Sequence, residues 1–194
     1  EVQGPLILVI ESSTDVGSVG LYRGEFLMGH TDIRVRRTHA RLLLPLVKEL
    51  LKQLEVKGEE LSTIAVSKGP GSYTGLRVGV STAKGLCMAW DKPLLSLNSL
   101  EILAWQVRVL AQQLGAWICP MIDARRMEVY TAIFDENAQE VAPIHAHILE
   151  ENSFENYLEE KPTIFIGDGA KKSQDLLGKH PNAIFLPHIL SSTR

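Results

Sequence analysis

The fold is decided by a glycine-rich stretch, Ser67-Lys68-Gly69-Pro70-Gly71-Ser72-Tyr73-Thr74-Gly75-Leu76-Arg77. It joins a short apolar run, residues 64–66, to a long segment, residues 78–90, whose composition is typical of a helix. A strand that passes through glycines into the start of a helix is where α/β proteins commonly bind phosphates. The stretch therefore predicts an α/β fold with a strand, a glycine loop and a helix at this point.

Three glycines of this region, Gly71, Gly75 and Gly79, are spaced four residues apart and stack on one face of the predicted helix. A glycine inside a helix costs about 1 kcal/mol relative to alanine, so a close neighbour is needed to compensate. Two interpretations stay open. Either a phosphate binds at Gly69, Gly71 and Ser72, or another protein element packs tightly against the glycines.

The loop does not match the common nucleotide-binding motifs. A phosphate-binding P-loop needs a lysine and a hydroxyl residue directly after its last glycine, whereas Leu76 and Arg77 follow Gly75. The third glycine also comes one position too late for a dinucleotide fingerprint. A phosphate site would therefore depend on the helix terminus and the backbone alone.

The same order of elements occurs twice along the chain. In each copy an apolar strand ends at an acidic residue, a polar turn and a second strand follow, and a later strand continues into a Gly-x-Gly loop. The first copy comprises residues 6–10, Glu11, 12–15, 18–22, 64–66 and 69–71, and the second comprises 117–122, Asp123, 124–126, 128–134, 163–166 and 167–169. The repeat predicts two similar α/β lobes, residues 1–98 and 99–194.

A first long helix is expected from Thr38 to about Leu54, because Leu43, Val47 and Leu50 follow helical spacing. Further leucines, among them Leu46, make its apolar surface wider than one core face needs. We therefore expect part of this helix to bind a partner.

A basic cluster precedes and enters this helix. It consists of Arg34, Arg36, Arg37 and Arg41. Two interpretations stay open for it, a solvated approach to the helix or a contact with phosphate or RNA.

Composition narrows the classes of function. The net charge of −3 over 194 residues argues against nucleic-acid binding by bulk electrostatics. No apolar run approaches the roughly 18 residues that suggest a membrane span, so no membrane association is expected. Cys87 and Cys119 lie in apolar surroundings, which favours reduced core thiols in a cytoplasmic protein.

Candidate metal and catalytic residues are few. His39 has no second histidine one helical turn later, because position 43 is leucine. His145 and His147 would share a strand face, but no third ligand is near them in sequence. Glu11 and Asp123 end equivalent strands, where a carboxylate either faces a magnesium-phosphate site or caps a turn.

Four segments together resemble the bacterial TsaB (YeaZ) family in order and spacing. They are residues 7–14, His39 with Pro45, residues 68–79 and residues 122–125. The resemblance implies an actin/sugar-kinase/Hsp70 (ASKHA) fold of two ribonuclease-H-like lobes, with mixed sheets flanked by helices. It also implies a role in forming N6-threonylcarbamoyladenosine at position 37 of tRNAs that read ANN codons.

In that family the protein is not itself the transferase. It pairs with its paralogue TsaD, which transfers the threonylcarbamoyl group and carries two metal-binding histidines one helical turn apart, and the ATPase TsaE joins the pair. His39 matches the first of those histidines and Leu43 replaces the second. The resemblance thus implies a chain without catalytic residues or a metal, a homodimer when alone, and contact with tRNA only through the complex.

The same resemblance and the glycine spacing give two sets of candidate residues. The expected partner interface comprises His39, Leu43, Leu46, Val47, Leu50, Gly71, Gly75, Arg77 and Gly79. A possible phosphate or nucleotide set comprises Glu11, Ser12, Ser13, Gly69, Gly71 and Ser72. No cofactor is expected in this subunit itself, and ATP or ADP is expected at the interface of the complex.

Two departures from the family pattern bear on these expectations. The first strand often ends in aspartate but here ends in Glu11, and the family's C-terminal helix and tail are expected to be missing. Two other functions remain open. An ATP-dependent sugar- or acetate-kinase-like enzyme would bind ATP between both lobes, and a metalloprotease-like enzyme would need the absent second histidine.

Overall fold

The computed structural model describes residues 3–34 and 39–193, and side chains from residue 42 onward in the second range. The chain divides into two compact units. One contains Glu1–Ser99 together with Ser192–Arg194, and the other contains Leu100–Ser191.

The first unit is built from one mixed sheet and two long helices. In chain order its elements are β1 (Leu6–Glu11), β2 (Gly17–Arg23), β3 (Phe26–Ile33), α1 (His39–Gln53), β4 (Thr63–Ser67), α2 (Tyr73–Trp90) and β5 (Leu94–Leu97), with a 3₁₀ turn at Gly58–Glu60. The sheet order is β3-β2-β1-β4-β5. The first three strands form an antiparallel meander, and β4 and β5 run parallel to β1.

The second unit repeats this arrangement. Its elements are α3 (Ser99–Leu114), β6 (Trp117–Asp123), β7 (Glu128–Phe134), β8 (Glu140–Ile148), α4 (Glu155–Glu160), β9 (Thr163–Ile166), α5 (Ala170–Leu177) and β10 (Ala183–Leu186). The sheet order is β10-β9-β6-β7-β8, with antiparallel β6, β7 and β8 and with β9 and β10 parallel to β6. The predicted fold, two similar α/β lobes with mixed sheets flanked by helices, is confirmed.

The apolar face of α1 belongs to the core of the first unit. Leu43, Val47 and Leu50 are at most 6% exposed and join one cluster with residues of the central strands and of α2. Residues at helical spacing lie on one face of the helix, and here that face packs against the sheet. The unit's own core thus already buries Leu43, Val47 and Leu50, and their predicted contact with a partner stays a prediction.

The last described residues pack on the first unit, although the sequence assigned them to the second lobe. Thr193 donates its backbone N–H to Ser18 Oγ at 3.1 Å, and its carbonyl accepts from Tyr22 Oη at 2.6 Å. Ser192 Oγ lies 3.2 Å from Asp32 Oδ1. These polar contacts to β2 and β3 explain why the segment groups with the first unit. Within the described ranges, no helix is both long and apolar enough to cross a membrane.

Candidate functional site

The turn after β1 fills the glycine face of α2. Ser12 lies against both Gly75 and Gly79, so a Cβ at Gly75 would overlap the carbonyl oxygen of Ser12, and one at Gly79 would overlap its Oγ. Ser12 Oγ donates to the carbonyl of Gly75 at 2.8 Å. Ser13 closes the same contact at the helix start, since its carbonyl accepts from the Ser72 N–H at 2.6 Å.

This packing identifies the element that lies against the glycines of α2. Gly75 and Gly79 are buried inside the first unit, so among the described residues their face of α2 is covered by the same chain, and their predicted contact with a partner stays a prediction. The element that approaches the glycines is the β1–β2 turn of the same lobe. Ser72 is the N-cap of α2, and its side chain accepts from the Gly75 N–H at 3.3 Å.

The buried side chain of Glu11 caps the turn that follows β1. It is 0% exposed, and its Oε1 accepts from the Ser13 N–H at 2.6 Å and from Ser67 Oγ at 2.9 Å. Within the described part of the chain, Oε2 of Glu11 and Oγ of Ser13 have no hydrogen-bond partner. The carboxylate thus joins the ends of β1 and β4, which is the turn-capping alternative. Nucleotide binding at Glu11, Ser12, Ser13, Gly69, Gly71 and Ser72 stays a prediction.

The exposed face of α2 holds side chains that the sequence did not single out. Arg77 is exposed, as an interface residue should be, and its guanidinium stacks over the Tyr73 ring at 4.2 Å. Tyr73 and Met88 are 69% and 86% exposed. Five exposed residues at intervals of three or four positions form one stripe, called the α2 stripe below: Tyr73, Arg77, Ser81, Lys84 and Met88.

The neighbouring helix α1 packs against α2 and adds a smaller exposed apolar surface. Leu44 is 40% exposed, whereas the predicted interface residue Leu46 is half-buried against the core cluster. The side chain of His39 lies outside the described residues. The sequence feature that would have indicated the α2 stripe is Met88, a large apolar side chain. Helical periodicity places it on the face of α2 opposite the buried glycines.

The arginine cluster is described only in part. Arg36 and Arg37 lie outside the described residues, as does the side chain of Arg41. Arg34 is exposed and its guanidinium is 3.8 Å from Asp32 Oδ2. Both interpretations of the cluster therefore stay predictions.

In the second unit a lysine organises the turn equivalent to that of Ser12. Lys172 Nζ on α5 donates to Asp123 Oδ1 at 2.6 Å and to the Arg126 carbonyl at 2.9 Å. Asp123 Oδ1 also accepts from the Arg125 N–H at 2.8 Å. Asp123 is thus bound by a lysine of its own lobe. For this position the sequence left two alternatives open, a magnesium-phosphate site and a turn cap.

This arrangement lowers the pKa of Asp123. Partial burial by itself raises that pKa, but the hydrogen bonds from Lys172 and Arg125 and the charges of both side chains outweigh it. A carboxyl whose folded pKa is depressed stabilises the fold above its unfolded pKa, and loses that contribution as the pH falls through the folded value.

The substitution Asp123→Asn should accordingly make the free energy of unfolding less dependent on pH in the acidic range. We expect the urea midpoint of the wild type to fall more steeply than that of the variant between about pH 5 and pH 2. Urea unfolding at a series of pH values measures this. Parallel curves for the two proteins would contradict the depressed pKa of Asp123.

The two histidines of β8 border a cavity of about 420 Å³ whose other walls include Phe154 and Tyr157. His145 and His147 are edge-to-face with ring centroids 5.6 Å apart, so they do share a face, as predicted. Burial, together with the charge of His145, lowers the pKa of His147 despite the opposing charge of Glu150. Among the described residues no three histidine, cysteine or acidic side chains are grouped to hold a metal ion.

Comparison with known proteins supplies the family. The family model for TsaD, tRNA N6-adenosine threonylcarbamoyltransferase, matches residues 33–174, which is well over half of the chain. The tRNA threonylcarbamoyladenosine biosynthesis protein TsaB of Buchnera aphidicola (Acyrthosiphon pisum strain) is 28% identical over 94% of this chain and 84% of its own length. TsaB of Bacillus subtilis is 36% identical over 66% of this chain and 54% of its own length, so the match spans about half of that relative.

A solved structure agrees with these sequence matches. A Pseudomonas aeruginosa protein, described as similar to peptidase YeaZ, superposes with a TM-score of 0.80 at 25% identity, over 97% of this chain and 86% of that one. The likeness extends over both units rather than over the glycine loop alone. The chain therefore belongs to the TsaB (YeaZ) family, within the wider group that the TsaD family model describes.

Proposed function

We propose that this chain takes part in the formation of N6-threonylcarbamoyladenosine in tRNA as a non-catalytic partner of a TsaD-type transferase. The relatives named TsaB are described by their role in threonylcarbamoyladenosine biosynthesis. Since the chain matches both TsaB proteins and the TsaD family model, its own role is decided by whether it retains the chemistry of a transferase.

The observation that carries the non-catalytic role is the environment of Leu43. This residue stands one helical turn after His39, where the resemblance places the second metal-binding histidine of TsaD. It is 1% exposed and sits in the core cluster of the first unit. A polar ligand at this position would be buried among apolar side chains, which costs several kcal/mol unless it is paired. Position 43 thus serves packing in this chain.

The proposed docking surface is formed by the outer faces of α1 and α2. The α2 stripe presents an exposed tyrosine, arginine and methionine, residue types that are enriched in the cores of protein interfaces. Leu44 is a further exposed apolar side chain, on the neighbouring helix α1. We place the transferase here, and a second copy of this chain when the transferase is absent.

The remaining components belong to the same proposal. A TsaE-type ATPase joins the pair, tRNA is bound by the complex, and the reaction takes place in the cytoplasm. ATP or ADP binds at the interface of the complex.

Reconstitution tests the proposal directly. TsaD- and TsaE-type proteins from the same organism, threonylcarbamoyl adenylate and unmodified tRNA are combined with and without this chain. We expect modified adenosine, measured by mass spectrometry of nucleosides, only in the complete mixture. Equal yields without this chain would overturn the proposed function, and modification by this chain alone would overturn the non-catalytic role.

A further inference from the structure

The turn between β6 and β7 presents two adjacent arginines in an unusual backbone conformation. Arg125 and Arg126 have φ values of 72° and 46°, and both side chains are exposed. The left-handed region is sparsely populated by residues other than glycine, asparagine and aspartate, and long side chains are strained there. Two such residues in succession at a hairpin are usually Asn-Gly or Asp-Gly.

The backbone of this turn is fixed by other groups, not by the guanidinium groups. Lys172 Nζ donates to the carbonyls of Arg126 and Glu128. The Glu128 N–H donates to the Arg125 carbonyl at 3.0 Å, and Asp123 accepts from the Arg125 N–H. The conformation therefore does not depend on arginine side chains.

Both guanidinium groups are exposed, although the charge of Arg125 contributes to the lowered pKa of Asp123. Asp123 is already engaged by Lys172 at 2.6 Å, and no ion pair of Arg125 or Arg126 is found with any residue of 3–34 or 42–193. The fold thus holds two cationic side chains next to each other on this turn, at positions where glycine or asparagine would be less strained. Local strain that folding does not require is a feature of ligand-contacting sites.

We propose that Arg125 and Arg126 bind phosphodiester groups of tRNA. The proposal rests on the function proposed above, which makes tRNA the polyanion that this chain meets. A guanidinium matches the oxygens of a phosphate in a bidentate manner and remains charged at every physiological pH. A local pair of arginines is also compatible with a net charge of −3, because it requires two contacts and no generally basic surface.

The decisive variant combines Arg125→Asn with Arg126→Gly. It removes both charges and supplies the residues that a left-handed turn favours, so its melting temperature should equal or exceed that of the wild type. Binding of labelled, unmodified tRNA by the complex should weaken about 10-fold near 0.1 M salt, and the slope of log affinity against log salt should fall by roughly 1.5 for two lost phosphate contacts.

Two control variants separate this contact from bulk charge. Lys57→Ala with Lys179→Ala removes two charges from other exposed positions and should leave tRNA affinity and salt slope unchanged. Arg125→Lys with Arg126→Lys should keep the salt slope, since lysine also neutralises phosphate.

Fluorescence anisotropy on the complex of full-length chains with the transferase reads out these outcomes. Wild-type affinity and slope in the Asn-Gly variant would overturn the proposal, as would an equal loss in the paired lysine-to-alanine control. Loss of transferase binding in place of tRNA binding would assign the turn to a protein contact and also overturn it. The binding measurement involves no group transfer, so a failed reconstitution of modification is distinguishable from a failure of this contact.

Discussion

Gly75→Ala should destabilise the first unit by about 3 kcal/mol, the upper range for overpacking a close-packed site. The added Cβ would overlap the carbonyl oxygen of Ser12. Because this oxygen is part of the backbone, relief requires the whole β1–β2 turn to move. That turn also carries Glu11, whose carboxylate joins β1 to β4 through Ser67. We expect a correspondingly lower urea midpoint for loss of the first unit's structure.

A matched control lies on the same helix. Gly85 is exposed, and a Cβ there meets no atom within 4 Å. Gly85→Ala should therefore stabilise the protein by up to about 1 kcal/mol, through helix propensity and reduced freedom of the unfolded chain. Equal stability of the Gly75 and Gly85 variants would contradict the packing described for the β1 turn.

Gly79→Ala offers a test of the particular contact, because its Cβ would overlap the side-chain Oγ of Ser12 and not a backbone atom. Removing that oxygen with Ser12→Ala should recover about 1–2 kcal/mol of the loss, measured as the coupling in a double-mutant cycle. The same Ser12→Ala change should not rescue Gly75→Ala. Rescue of both, or of neither, would show that the two clashes have been misassigned.

The glycine spacing shows how far sequence reasoning extends. It correctly indicated a close neighbour on one face of α2, because helical glycines carry a free-energy cost that packing must offset. The spacing could not tell whether that neighbour was another chain or the same lobe. Ser12 is separated from Gly75 by 63 positions, and only the register of β1 against β4 brings the two together.

The second lobe shows a different limit. β8 lies at the edge of its sheet and is exposed along most of its length, and the sequence indicated a strand only around His145 and His147, not over its full extent. The helix α5 has only 8 residues, too few for a clear helical period. Lys172 lies on that helix and was not predicted to have a role. A single lysine in the sequence does not indicate a function, and only the fold brings its Nζ to Asp123.

The docking proposal makes its strongest prediction at Met88. This side chain is 86% exposed on the α2 stripe, so Met88→Asp should leave the fold intact while placing a charge where the proposed interface buries an apolar side chain. Truncating a central interface residue costs about 2–4 kcal/mol, and an unpaired buried charge adds to that cost. We therefore expect affinity for the TsaD-type transferase to fall roughly 100-fold or more, with a parallel loss of tRNA modification.

Val109→Asp is the matched control for this change. Val109 is 62% exposed on α3 of the second unit, outside the proposed surface, and the substitution introduces the same charge into an exposed helix position. Its transferase affinity, measured by titration calorimetry, should equal that of the wild type, and both variants should keep wild-type circular dichroism spectra. If Met88→Asp binds normally and Val109→Asp does not, the transferase docks on the second unit and the α2 stripe is not the interface. If only Met88→Asp fails, the buried glycines and the exposed stripe have separate purposes: one face of α2 holds the lobe together, and the opposite face binds the partner.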